Sequence, residues 1–209
     1  MRTDYINRED YNRLYSLMTY ENVLALRVSL ETGLRIGDVV ALPTSSLDGR
    51  TITFVAKKTG KSGKAVVSAD LARRLRRISG RFYIFEHRTD IRKHRTRQTV
   101  WKDVKKAFRK LVEVGELEGV NVAPHSARKT AAVDEFHEHG ITSAQRMLQH
   151  TRMDNTMIYA FSDLLTGGKN LKQMFENSHT SGFALKLDEI ILKLNELLQK
   201  CNKILEMLS

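Results

Sequence analysis

The segment 21–31 constrains the fold more than any other stretch of the sequence. It carries Val23, Leu24, Leu26, Val28 and Leu30, so a helix built from it is apolar on nearly every side. Such a helix is expected to be buried, with other elements packed around it. The chain has 209 residues and 41% hydrophobic composition. This is enough for one domain with a full core around that helix, together with an appendage.

The remaining patterns predict a mainly helical chain with a small antiparallel β-sheet, an α+β fold. Only two prolines interrupt the sequence, which favours long helical stretches. Segments 51–56 and 65–68 alternate like strands on either side of a glycine-containing, lysine-rich turn, and predict a hairpin; 82–85 predicts a further short strand or extended segment. Helices are predicted near 8–18, 36–42, 70–78, 99–114, 124–137, 143–148 and 154–159.

The net charge of +11 predicts a polyanionic partner, and nucleic acid fits it better than a membrane surface. The first 20 residues are polar and do not resemble a signal peptide. No apolar run reaches the roughly 20 residues of a membrane-spanning helix. The single cysteine, Cys201, fits a reducing cytoplasm and does not allow a Cys-rich zinc site.

Residues 86–110 form the most basic part of the chain. In the predicted helix 99–114, basic side chains alternate with Trp101 and Phe108, which we expect to face the core while the lysines face DNA phosphates. The simpler interpretation is a solvated charged face. The candidate DNA contacts, including two on the hairpin turn, are Lys57, Lys61, Arg95, Arg97, Lys102, Lys105, Lys106 and Arg109.

Several separated residues suit the chemistry of a phosphodiester. Arg35 and Arg128 stand at predicted element boundaries, and a planar guanidinium pairs its donors with phosphate oxygens. His125 lies one helical turn before Arg128, so both project from the same face. Tyr159 follows His150 by nine positions and can attack phosphorus if a nearby group accepts its proton. Taken alone, each also has a structural interpretation: Tyr159 as a packing residue, Arg35 as a partner of Asp38, His125 as a helix cap.

Taken together and in order, these segments resemble the tyrosine recombinases, also called the phage integrase family. Residues 32–42 (TGLRIGDVVAL) are similar to the first arginine motif of that family. Residues 57–61 are similar to its lysine hairpin, and 124–130 (PHSARKT) match its His-x-x-Arg box. Residues 148–159 match the box that ends in the nucleophile. The resemblance covers about residues 5–165 and implies the catalytic-domain fold of that family.

The resemblance also implies how the phosphate is held. Arg35 and Arg128 would clamp the scissile phosphate, and His150 would position it. Asp38, one turn after Arg35, would orient groups of the site. No metal is implied for this chemistry. No ATP is implied either, because the phosphotyrosyl link stores the energy of the broken bond.

The proton transfers follow from the same resemblance. Tyr159 would form a 3′-phosphotyrosyl intermediate, and His125 would accept its proton. Lys58 would protonate the leaving 5′-oxygen, although Lys57 and Lys61 are rivals for that role. The implied function is site-specific recombination or DNA integration by a mobile element, acting on cytoplasmic or nucleoid DNA. The alternatives are relaxation of DNA by a type IB topoisomerase and a non-catalytic DNA-binding protein that keeps the fold.

The C-terminal sequence has a different pattern. Residues 178–184 are predicted to be a linker between a catalytic domain at 1–177 and an amphipathic helix at 185–209. Apolar residues from Leu187 to Leu208 alternate in steps of three and four, as in a coiled-coil seam. This favours self-association over packing on the same chain, and a homo-oligomer on DNA. The family usually has an N-terminal core-binding domain, so the chain is expected to be either a minimal recombinase or a fragment.

Overall fold

A computed structural model describes residues 3–117 and 119–149 of the chain. These residues form a mainly helical domain with one three-stranded antiparallel sheet, as predicted. The elements, in chain order, are α1 (Arg8–Ser16), α2 (Tyr20–Thr32), α3 (Ile36–Val39), β1 (Leu47–Asp48), β2 (Thr51–Val55), β3 (Ser62–Val66), α4 (Ala69–Ile78), α5 (Arg97–Glu113), α6 (Pro124–His139) and α7 (Ile141–Leu148). A 3-10 turn, Thr44–Ser46, precedes β1.

Helix α2 is buried, as its sequence predicts. Leu24, Leu26 and Val28 are almost completely shielded from solvent, and even Ser29 is inside. Ser29 is tolerated there because its hydroxyl donates to the carbonyl of Leu34 at 2.6 Å. Helix α6 packs extensively on α2, while α3, α4 and α5 cover other sides. The core therefore surrounds α2.

The hairpin differs from the prediction in one strand. Strand β3 spans 62–66 rather than 65–68, because the antiparallel register pairs Val55 with Ser62 and Thr51 with Val66. The connecting loop 56–61 is closed by the amide of Ala56 donating to the carbonyl of Lys61 at 2.9 Å. The lysine-rich turn is therefore shorter than the alternation of apolar residues indicates.

Two short segments cannot be assigned from the periodicity of apolar residues. Strand β1 has only two residues, which pair with Thr51 and Ile52 of β2. Segment 82–85, predicted as a short strand or extended segment, has a single bridge between Pro43 and Tyr83, and residues 84–85 form a turn. Two residues carry too little pattern to be distinguished from a loop.

Helix α5 is amphipathic, but Trp101 does not lie on the face that the sequence predicts. Val100, Val104, Ala107 and Leu111 are buried, and Phe108 packs partly against the core. Trp101 keeps 46% of its surface exposed, contrary to the expectation that it faces the core. The buried stripe follows the 100, 104, 107, 111 spacing, and Trp101 lies beside it.

Helices α6 and α7 are confirmed, with Gly140 at their junction at a φ of +80°. The predicted helix at 154–159, the linker at 178–184 and the helix at 185–209 lie outside the described residues. No helix among the described residues is long and apolar enough to cross a membrane.

Candidate active site

One cleft of about 910 Å³ brings together segments that are far apart in the sequence. It lies where the starts of α3, α5 and α6 meet the β2–β3 loop. Four of the predicted catalytic residues line it: Arg35, Lys58, His125 and Arg128. The N-terminal ends of α5 and α6 add partial positive charge to that of the side chains. The cleft is therefore suited to a phosphate anion.

Arg35 and Asp38 occupy the same short element. Arg35 is the N-cap residue of α3 and is half-buried. Asp38 is buried, and its carboxylate accepts a hydrogen bond from the backbone amide of Lys57 at 3.1 Å. Asp38 thus fixes the β2–β3 loop against α3, next to Arg35.

The three rival lysines occupy different places. Lys57 and Lys58 both line the cleft and are exposed to solvent. Lys61 lies at the far end of the loop and faces a separate pocket that Gly63 and Gln149 also line. Since the backbone of Lys57 is held by Asp38, the following residue, Lys58, stands on a fixed part of the loop.

Arg128 is buried, unlike the other cations of the cleft. Its Nη1 donates to the carbonyl of Gly33 at 2.5 Å, and its Nη2 donates to the carbonyl of Leu148 at 2.7 Å. Gly33 has a φ of +67°, and a Cβ there would lie 3.0 Å from Met147. Glycine at 33 therefore lets the start of the first arginine motif approach the end of α7, and Arg128 joins the two.

His125 is the second residue of α6 and is open to the cleft. Surrounding protein replaces part of the hydration of the ring and lowers its pKa to about 4, and the charges of Arg128, Lys129 and Arg35 act in the same direction. The imidazole is therefore neutral at pH 7 while the cleft is empty of anions. A neutral imidazole can accept a proton.

The predicted DNA contacts do not form one surface. Arg97 lines the cleft. Arg95 and Lys105 instead bind other parts of the chain: Arg95 donates to Asn22 at 3.2 Å and lies 3.8 Å from Glu21, and Lys105 donates to Asn121 at 2.6 Å. Partial burial lowers the pKa of Lys105. Arg95 and Lys105 thus have structural contacts, while exposed basic residues remain on α5 at Lys102, Lys106 and Arg109.

Sequence reasoning missed the apolar component of the cleft. Trp101 lines it together with His94 and Gln98. An exposed indole in a cationic cleft provides a flat apolar surface for a deoxyribose. The sequence signal was available, since Trp101 lies one position off the buried stripe of α5.

His150 and Tyr159 lie outside the described residues. The carbonyl of Leu148, two residues before His150, is the one held by Arg128. The segment that leads to both residues therefore starts beside the cleft. Gln149, which ends α7, has a φ of +52°, a conformation that favours glycine. No cluster of three or more metal-ligating side chains occurs in residues 3–117 and 119–149.

The chain is similar in sequence to proteins of one known family. A sequence model of the phage integrase family matches residues 4–164. The chain therefore belongs to the phage integrase family. The integrase of Escherichia phage P2 is 28% identical over 159 residues, which are 76% of this chain and 43% of that protein. The chain thus spans less than half the length of this curated relative.

Solved structures show the same fold. A lambda integrase dimer bound to a COC′ core site matches with a TM-score of 0.65 and 19% identity, covering 77% of this chain and 48% of that one. The catalytic domain of bacteriophage HP1 integrase matches with a TM-score of 0.58 and 20% identity, covering 80% of this chain and 96% of that domain. The described residues therefore have the tyrosine-recombinase catalytic-domain fold predicted from the sequence.

Proposed function

We propose that this chain cuts and rejoins double-stranded DNA as a site-specific recombinase or integrase, through a 3′-phosphotyrosyl intermediate. The observation that carries the proposal is the convergence of Arg35, Lys58, His125 and Arg128 in one cleft. These residues come from two helix starts and a hairpin loop, and a common structural role does not explain their meeting. Membership of the phage integrase family supports the same conclusion.

The cleavage step transfers the phosphoryl group of the DNA from the 5′-oxygen to the tyrosine oxygen. The hydroxyl oxygen of Tyr159 attacks phosphorus, a new P–O bond to the tyrosine forms, and the bond from phosphorus to the 5′-oxygen breaks. Arg35 and Arg128 hold the non-bridging oxygens, whose negative charge grows in the transition state. Arg128 is well placed to act rigidly, because two backbone carbonyls fix part of its guanidinium.

Two proton transfers complete the step. The tyrosine proton passes to His125, whose lowered pKa leaves it neutral at pH 7 and able to accept. Lys58, as an ammonium group, protonates the departing 5′-oxygen. Rejoining reverses both transfers when a 5′-hydroxyl attacks the phosphotyrosyl bond. His150 would assist at the phosphate.

The partners follow from this chemistry. Double-stranded DNA is the substrate, in the cytoplasm or nucleoid, and strand exchange between two duplexes needs several copies of the chain. The tail 185–209, with its regular seam, is the candidate element for that association. Gel filtration with and without residues 183–209 tests it: an unchanged oligomer would refute the role of the tail.

A nicked suicide duplex tests the catalytic proposal. It carries the natural target site with a nick just beyond the cleavage position, so that the short 5′-hydroxyl strand diffuses away and the protein remains attached. The expected result is a covalent adduct with the unaltered chain and none with Tyr159→Phe. Absence of an adduct with the unaltered chain supports a non-catalytic DNA-binding protein. Relaxation of supercoiled DNA without joining of two duplexes supports a topoisomerase.

A further inference from the structure

Helix α4 carries a second basic surface, separate from the cleft. Leu71, Ala72 and Leu75 face the core. The opposite side presents arginines at spacings of three and four residues, which places them on one face of the helix. We call this surface the arginine face; it consists of Arg50, Arg73, Arg76, Arg77 and Arg81, all exposed.

Local contacts hold Arg50 and Arg76 close to each other on this surface. The guanidinium of Arg76 donates to the carbonyl of Gly49 in the β1–β2 turn, so that turn and its Arg50 lie against the helix. Arg50 donates to the carbonyl of Val67 at 3.0 Å. Arg81 follows the end of α4, with its guanidinium 5.4 Å from the ring centre of Phe82.

Contacts that stabilise helix α4 explain only some of the arginines on this face. Asp70 binds Arg27 and Arg74 at 3.1 and 2.8 Å, as well as Arg73 at 2.7 Å, and these contacts lower its pKa to about 2. The negative end of the helix favours Arg76 and Arg77. Arg77, however, has no ion pair within the described part of the chain, and it stands one helical turn from Arg73, a spacing at which like charges repel.

We propose that the arginine face binds the phosphates of a second segment of double-stranded DNA, while the cleft holds the segment that is cut. None of its five residues lines the cleft. Guanidinium groups match phosphate oxygens with paired donors, and the face contains five of them and no lysine. Contacts of this kind give affinity without sequence preference. The inference rests on the proposed function in one respect, that DNA is the substrate.

The test measures DNA binding with the cleft weakened, so it does not require catalysis. The background is the full chain with Lys57→Gln, Lys58→Gln and Arg97→Gln, and the probe is a fluorescent duplex of random sequence. Adding R77Q and R81Q removes two phosphate contacts. Each phosphate contact contributes about 0.9 to the steepness of log affinity plotted against log salt concentration. Losing two contacts should therefore make the slope shallower by about 1.8 and lower the affinity at 0.1 M salt by about 60-fold.

A charge-matched control uses Arg13→Gln and Lys110→Gln, exposed residues on α1 and α5. This pair should leave the slope unchanged. Arg77→Lys with Arg81→Lys should retain most of it, since the charges remain. If R77Q/R81Q gives the same affinity and slope as the control pair, the arginine face does not bind DNA and the proposal is overturned.

The suicide duplex separates this proposal from the catalytic one. On a duplex too short to reach a second surface, R77Q/R81Q in the otherwise unaltered chain should form the covalent adduct at the normal rate. If no variant forms an adduct but R77Q/R81Q still removes salt-dependent binding, the catalytic proposal fails and the arginine face stands. If adducts form and the slope does not change, the catalytic proposal stands and the arginine face does not bind DNA.

Discussion

Replacing Arg128 by alanine is expected to lower stability as well as activity, whereas replacing Arg35 is expected to lower activity alone. Arg128 is 3% exposed and donates to the carbonyls of Gly33 and Leu148. A hydrogen bond to a charged group contributes about 1.5–3 kcal/mol, so the two bonds give about 3–6 kcal/mol. Removing the arginine also relieves the cost of burying its charge, which favours the lower end, about 3 kcal/mol.

Thermal unfolding followed by circular dichroism measures this effect. A loss of 3 kcal/mol should lower Tm by about 6–12 °C in a chain of this size. The matched control is Arg35→Ala, since the Arg35 side chain makes no hydrogen bond to another described residue and is half-buried; its free energy of unfolding should change by about 0.5 kcal/mol or less. An unchanged Tm for Arg128→Ala would refute the argument that Arg128 joins the two segments.

Three further predictions concern the same cleft, and a fourth concerns Gly63 on strand β3. Because an anion favours the protonated imidazole, the pKa of His125 should rise from about 4 when DNA binds, and an NMR titration in which the midpoint does not move would contradict the cleft as a phosphate site. In the free chain, His125 takes up its proton near pH 6.5 in the unfolded state but only near pH 4 in the folded state. The free energy of unfolding should therefore fall as the pH is lowered from 6.5 to about 4, and it should fall less in His125→Gln. Trp101→Ala should barely change Tm but weaken DNA binding by about 1–2 kcal/mol, the value of burying part of the exposed indole against a deoxyribose at about 25 cal/mol per Å², and equal binding by both forms would exclude the indole as a contact. A Cβ at Gly63 would lie 2.7 Å from Phe54 and 2.8 Å from Gln149, so Gly63→Ala should cost about 1–3 kcal/mol, and Gln149→Ala should restore part of it; no rescue would show that the strain lies at Phe54.

The sequence predicted the helical frame because its apolar spacing is regular. Helix α2 lacks a polar face and is central, and Gly140 ends α6 as expected. Strand β3 begins three residues before its predicted start, since Ser62 and Gly63 carry no strand pattern of their own. They are strand residues only because β2 offers hydrogen-bonding partners.

The sequence named four residues that the structure brings to one cleft, but it did not predict their contacts. Arg35, Lys58, His125 and Arg128 do line one cleft. Sequence patterns cannot show that Arg95 turns to Asn22 and Lys105 to Asn121, because these contacts join residues 73 and 16 positions apart. The link between Asp38 and the amide of Lys57 is likewise tertiary, and it places Lys57 and Lys58 at the cleft while Lys61 faces another pocket.

The central claim is that Tyr159 carries the cut DNA strand. Its most direct test is peptide mapping by mass spectrometry of the adduct formed on the suicide duplex, after digestion of both protein and DNA. The expected result is a nucleotide attached through its 3′-phosphate to Tyr159, in the peptide that contains it. Attachment to another residue, attachment through a 5′-phosphate, or an unmodified Tyr159 in the purified adduct would contradict the account.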